Sequence, residues 1–161
     1  CCTMSVTTDK TYKDAYISYF KMEEKYNLYS PNSTLFFKDS LKGNFNKLNR
    51  IFSYVLADLK LGKTIQLHVK GFTSPLHKRD YNINLSKRRI QSFVNYLGLY
   101  ENMSFLPFLK SGFLKIIELP FGESNSTKKV SDNPEDSLNS IYSLDAILER
   151  RIEIIDVKLI E

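Results

Sequence analysis

The stretch Gly71-Phe72-Thr73-Ser74-Pro75, followed after a short gap by Tyr81-Asn82-Ile83-Asn84-Leu85-Ser86-Lys87-Arg88-Arg89-Ile90, decides how this chain folds. Upstream, Ile65, Leu67 and Val69 alternate with Gln66, His68 and Lys70, the period of a half-buried strand. Gly71 is expected to end it. Thr73 to Asp80 is polar and holds Pro75, so it reads as a loop. Asn82 then reads as a helix N-cap, its side chain accepting from an exposed backbone N–H. Leu85, Ile90, Phe93, Val94 and Leu97 recur on one helical face. Arg89 lies one turn after Leu85 and one before Phe93, on the inward edge of that face. A charge there is costly without a partner. The partner is either an acid of the same chain or a ligand.

Outward from this corner, residues 38 to 60 predict a helix with Leu41, Phe45, Leu48, Phe52, Val55, Leu56 and Leu59 on one side, stopped by Gly62. Residues 8 to 26 predict an amphipathic packing helix carrying Tyr12, Tyr16, Tyr19 and Phe20, and 27 to 34 a loop. Gly98 and Pro107 punctuate an aromatic connection. Residues 113 to 119 read as a strand apolar on both faces, hence central or covered. A long polar loop is expected over 122 to 137, a short helix over 138 to 149 and a last strand over 151 to 159. The phase of that strand changes at Ile154-Ile155, which suggests a bulge or a switch in which face is covered. The order of elements gives an α/β chain, an α+β sandwich of helices on a mixed sheet. No linker divides residues 1 to 161, so one domain is expected.

Composition narrows the function. The length of 161 residues suits a single core, and no run approaches the ~20 apolar residues that span a bilayer. The net charge is +5, with basic residues concentrated between 60 and 100, where Asp80 is the sole acid. That bias suits an anionic polymer or the carboxylates of a cell-wall peptide, and equally a solvated basic face. The only cysteines, Cys1 and Cys2, are adjacent, poorly placed to bridge each other and unsuited to a metal site with only His68 and His77 elsewhere. Cys1 is either the lipid-bearing first residue of a lipoprotein or simply where a fragment begins. No nucleophile–base pair and no phosphate loop stand out, so neither catalysis nor a cofactor is expected. Lys87-Arg88-Arg89 raises nucleic-acid binding as a distant reading, without a recognisable module.

The corner resembles the signature of the OmpA-like peptidoglycan-binding domain, G-[YFH]-T-D followed by YN-x-x-LS-x-x-R-[AI]. Phe121-Gly122-Glu123-Ser124-Asn125 is similar to that family's G-x-GE-x-N turn, and Glu149-Arg150-Arg151-Ile152-Glu153-Ile154 to the start of its last strand. A variant from Bacteroidota outer-membrane proteins is closer. It shares Gly71 to Pro75, Phe36-Phe37 with a glycine soon after, Pro120-Phe121-Gly122-Glu123 and the Asn139 to Ser143 run. The resemblance covers residues 8 to 158.

The resemblance implies a core over 35 to 158 with an extra N-terminal helix, and an upstream first strand that this sequence lacks. It implies a periplasmic, noncatalytic module that binds the diaminopimelate of a peptidoglycan stem peptide and ties an outer-membrane protein complex to the wall. Arg89 would grip the carboxylate, with Thr73, Ser74, Asn82 and Leu85 around it and Asp80 and His77 as auxiliaries. Membrane contact would come only through a lipid anchor or an upstream region. Ser74 stands where the family has the aspartate that engages the ammonium. Three consequences stay open: weaker affinity, an acid such as Asp80 in its place, or a different cell-wall group. A structural subunit that keeps the fold without the ligand is the alternative.

Overall fold

The computed structural model describes residues 36–76, 78–123 and 130–160, together with Asp14, Ile17, Ser18 and Lys21. The alternation of Ile65, Leu67 and Val69 is realised as β1, Thr64–Thr73, whose three aliphatic side chains are wholly buried. Gly71 does not end this strand. It lies within it, because the helix above passes so close that a Cβ at this position would meet the Ser86 carbonyl oxygen at 2.7 Å.

After a π-helical turn over Phe36–Leu41 comes α1, Lys42–Lys60. It turns Phe52, Val55, Leu56 and Leu59 inward and ends at Gly62, whose φ of 82° only glycine adopts without strain. Beyond β1, α2 runs over Arg79–Met103. Its cap is Lys78 and not Asn82. The extended Lys78 lets the helix begin a turn earlier, with Asp80 in the first turn complementing the dipole, and the Asn82 amide already donates to the Lys78 carbonyl at 3.0 Å. Gly98 does not punctuate the chain. The helix runs past it and breaks at Tyr100 to Asn102, with positive φ at Glu101, Asn102 and Met103. A short α3, Leu106–Ser111, with Pro107 in its first turn, leads into β2, Leu114–Glu123.

The helix expected over 138 to 149 is split. A π-helical turn, Leu138–Tyr142, and α4, Leu144–Glu149, are separated by extended Ser143, whose hydroxyl accepts from the Ala146 amide at 3.2 Å. Last comes β3, Ile152–Ile160. The expected loop over 122 to 137 shortens at its start, since β2 continues to Glu123. Residues 124 to 129 lie outside the described residues, and Val130 is buried. Of the N-terminal helix expected over 8 to 26, Asp14, Ile17, Ser18 and Lys21 are helical and exposed, and the Ser18 hydroxyl donates to the Asp14 carbonyl one turn back. The aromatic residues of that segment lie outside the described residues.

The three strands form one mixed sheet in the order β2-β1-β3, with β1 parallel to β2 and antiparallel to β3. The helices pack on it as the α+β sandwich expected. The apolar 113 to 119 stretch is not central, however. Among the described residues it sits in β2, at an edge of the sheet, where a proline such as Pro120 is tolerated. The expected bulge is present: Val69 faces Ile154 and His68 faces Asp156, leaving Ile155 as the extra residue. His68 is not the plain surface residue its alternation implied, since its Nε2 is buried and has no hydrogen-bond partner among the described residues.

The core lies between α1, α2 and the helix side of the sheet. Phe52 is its hub, fully buried and in contact with Phe93, Tyr96, Tyr100 and Phe105 at centroid distances of 5.7, 6.0, 5.1 and 5.5 Å. Offset and edge-on rings of this kind hold one another beyond simple burial.

Candidate functional site

Arg89 emerges from the inward edge of α2, and the structure makes it half-buried. Its Nη1 donates to the carbonyl oxygen of Phe72 at 2.7 Å. The Phe72 amide donates in turn to the Arg151 carbonyl at 2.9 Å, and the Arg151 guanidinium carbon stands 4.1 Å from the centroid of the Phe72 ring. One residue near the end of β1 thus positions two arginines, one through its carbonyl and one through its amide and ring. The face of Phe72 attracts the second cation electrostatically.

Arg151 is fixed further. Its Nε donates to Glu153 Oε1 at 2.5 Å and its Nη1 to the Leu148 carbonyl at 3.0 Å. Arg150 donates through Nη2 to the Ile141 carbonyl, which ties it to the π-helical turn. The three arginines converge on a cavity of about 280 Å³, completed by Phe45 and Leu48 from α1, Ser92, Phe93 and Tyr96 from α2, and Ile152 from β3. Among the described residues its lining includes no carboxylate, although Arg151 is paired with Glu153 and the buried Glu149 stands next to Arg150 in sequence.

Tyr96 brings α1 and α2 together at the cavity wall, its hydroxyl donating to Asn49 Oδ1 at 3.0 Å. Burial raises the Tyr96 pKa above its ordinary value, with the nearby Tyr100 adding to the effect and the bond to Asn49 opposing it. The hydroxyl therefore stays protonated at neutral pH. Guanidinium forks beside aromatic and aliphatic walls suit a ligand with a carboxylate or similar oxyanion and an apolar portion.

Of the residues the sequence nominated, Arg89 alone lines this cavity. Thr73, Ser74 and Asn82 are buried at the corner, with 0, 6 and 1 % of their surface exposed. Among the described residues the Thr73 hydroxyl oxygen has no hydrogen-bond partner. Leu85 is half-buried and Asp80 exposed. His77 and Cys1 lie outside the described residues. Asn82 does not stand at a helix start, since α2 begins at Arg79.

Sequence reasoning missed Arg150, Arg151, Phe45 and Tyr96 as cavity residues. The adjacent arginines at the mouth of the last strand were the available signal, but their convergence with Arg89 is a tertiary fact. Much of the basic cluster between 60 and 100 has internal work. Lys63 pairs with Asp58 at 2.8 Å, Lys70 Nζ lies 3.8 Å from the Phe121 ring centroid, and the Arg88 guanidinium lies 5.6 Å from that of Tyr81.

Among the described residues no cluster of three or more His, Cys, Asp or Glu side chains could hold a metal ion, and no helix is long and apolar enough to cross a membrane. Comparison with protein-family models, curated proteins and solved structures finds no match.

Proposed function

We propose that this chain is a noncatalytic binding module for the carboxylate-bearing stem peptide of peptidoglycan, tying an outer-membrane assembly to the wall from the periplasm. The observation that supports it most is the convergence of Arg89, Arg150 and Arg151 on one cavity with aromatic walls. The resemblance of the 71 to 90 segment to the OmpA-like signature supplies the ligand class. In this reading Arg89, steadied on the Phe72 carbonyl, presents its positive charge to a carboxylate of diaminopimelate or a similar group. Arg150 and Arg151 add positive charge, and Phe45, Phe93 and Tyr96 hold the alkyl portion. In this reading the three arginines draw the carboxylate end in, and an ammonium stays toward solvent.

A second reading is a structural subunit that keeps the fold without the ligand. The burial of Thr73, Ser74 and Asn82, which the family signature would place around the ligand, favours it.

Titration with a purified stem peptide, followed by calorimetry or amide shifts, separates the two. The binding module takes up the free-carboxylate peptide, and its amidated counterpart binds roughly tenfold or more weakly, as loss of a charge-assisted hydrogen bond implies. The structural subunit binds neither.

A further inference from the structure

We propose that β3 pairs with β3 of a second copy of this chain, antiparallel about a two-fold axis at Val157, joining two sheets edge to edge. β3 has β1 on one side, and among the described residues no strand pairs with the other. This open edge is nine residues long and exposes Ile155, Val157 and Leu159 by 49, 44 and 56 %. Val157 and Leu159 stand opposite Leu67 and Ile65, on the side of the sheet that carries the helices, yet the helices leave them open. A long apolar edge is a template for another strand.

The sequence of the edge names the partner. Residues 154 to 160 read Ile-Ile-Asp-Val-Lys-Leu-Ile. Laid antiparallel on itself with Val157 facing Val157, the segment sets Asp156 against Lys158 of the second copy, and Lys158 against its Asp156. Ile155 then faces Leu159, and Ile154 faces Ile160. Every apolar residue meets an apolar one and every charge meets its opposite, the pairs that stabilise adjacent strands.

The register is specified as well. The smallest slips that keep both sets of helices on one side are of two residues. They set Asp156 against Asp156 or Lys158 against Lys158, like charges face to face. Within one chain Asp156 and Lys158 make only a half-exposed contact of 3.5 Å along the strand, so both side chains can turn to the partner. The contact is isologous, the same patch on both subunits, and it closes after two copies. The inference does not depend on wall binding, although a dimer would carry two arginine cavities and gain avidity for a polymer.

Sedimentation velocity of the full chain over a dilution series tests it. The wild type is expected to be a dimer that dissociates on dilution. Asp156→Lys and Lys158→Asp each place like charges opposite one another twice, and each is expected to lose the dimer. The double variant D156K/K158D restores the pairing and the dimer. If a single variant fails to fold by circular dichroism, Val157→Cys in a Cys1→Ser, Cys2→Ser background decides. Cross-strand neighbours at the axis lie within disulfide reach, so oxidation links two chains there, and Leu61→Cys in the same background does not link. A wild type that stays monomeric at every concentration, or a dimer that survives both single charge reversals, overturns the proposal.

Discussion

The Nη1 of Arg89 donates to the Phe72 carbonyl oxygen at 2.7 Å, bridging the inward edge of α2 to the end of β1. The bond settles where the guanidinium stands and brings its positive charge to the cavity wall. Arg89→Lys keeps the charge but not the fork. It is expected to fold with a loss of about 1 kcal/mol, while ligand affinity falls roughly tenfold. Urea unfolding beside ligand titration checks both halves.

Gly71 is held by proximity and not by a turn. Gly71→Ala would push a Cβ to 2.7 Å from a backbone oxygen and 3.0 Å from Ile90, and is expected to cost about 1–3 kcal/mol. Gly43→Ala, inside α1 with nothing within 4 Å, is expected to stabilise by about 0.5–1 kcal/mol. Denaturant midpoints of the two variants should move in opposite directions.

Phe52 touches four other rings and has no exposed surface. Phe52→Ala is expected to cost about 3–5 kcal/mol, enough to unfold a domain of ordinary stability. Thermal unfolding by circular dichroism reads this directly.

Tyr96 gives the protein an alkaline limit. Its pKa is raised in the folded state, chiefly by burial, so its contribution is intact below the ordinary tyrosine value of about 10 and is lost as pH rises through the folded value. Unfolding free energy should therefore fall as pH climbs past that range. Tyr96→Phe should flatten the fall, at the expense of the Asn49 bond at neutral pH.

Elements governed by local periodicity were legible in the sequence. The 65 to 69 alternation, the α1 face, the inward placement of Arg89 and the bulge at Ile155 all follow from spacing. What escaped depends on contacts between distant segments. Gly71 reads as a stop, but a helix folded over it decides its role. An apolar 113 to 119 reads as a central or covered strand, yet among the described residues β2 pairs with β1 alone. Asn82 reads as a cap because Asx residues start helices, but extended Lys78 starts this one earlier and turns Asn82 inward. The site was half legible: Arg89 was nominated, whereas Arg150 and Arg151 join it only through Phe72 and the cavity wall.

The most direct measurement is co-sedimentation of the full chain with isolated peptidoglycan sacculi, wild type beside Arg89→Ala, at two salt concentrations. The wild type is expected to pellet with sacculi and to stay bound at moderate salt, and Arg89→Ala, still folded, to remain in the supernatant. A folded wild type that never pellets, or an Arg89→Ala variant that pellets as well as the wild type, would contradict wall binding through Arg89.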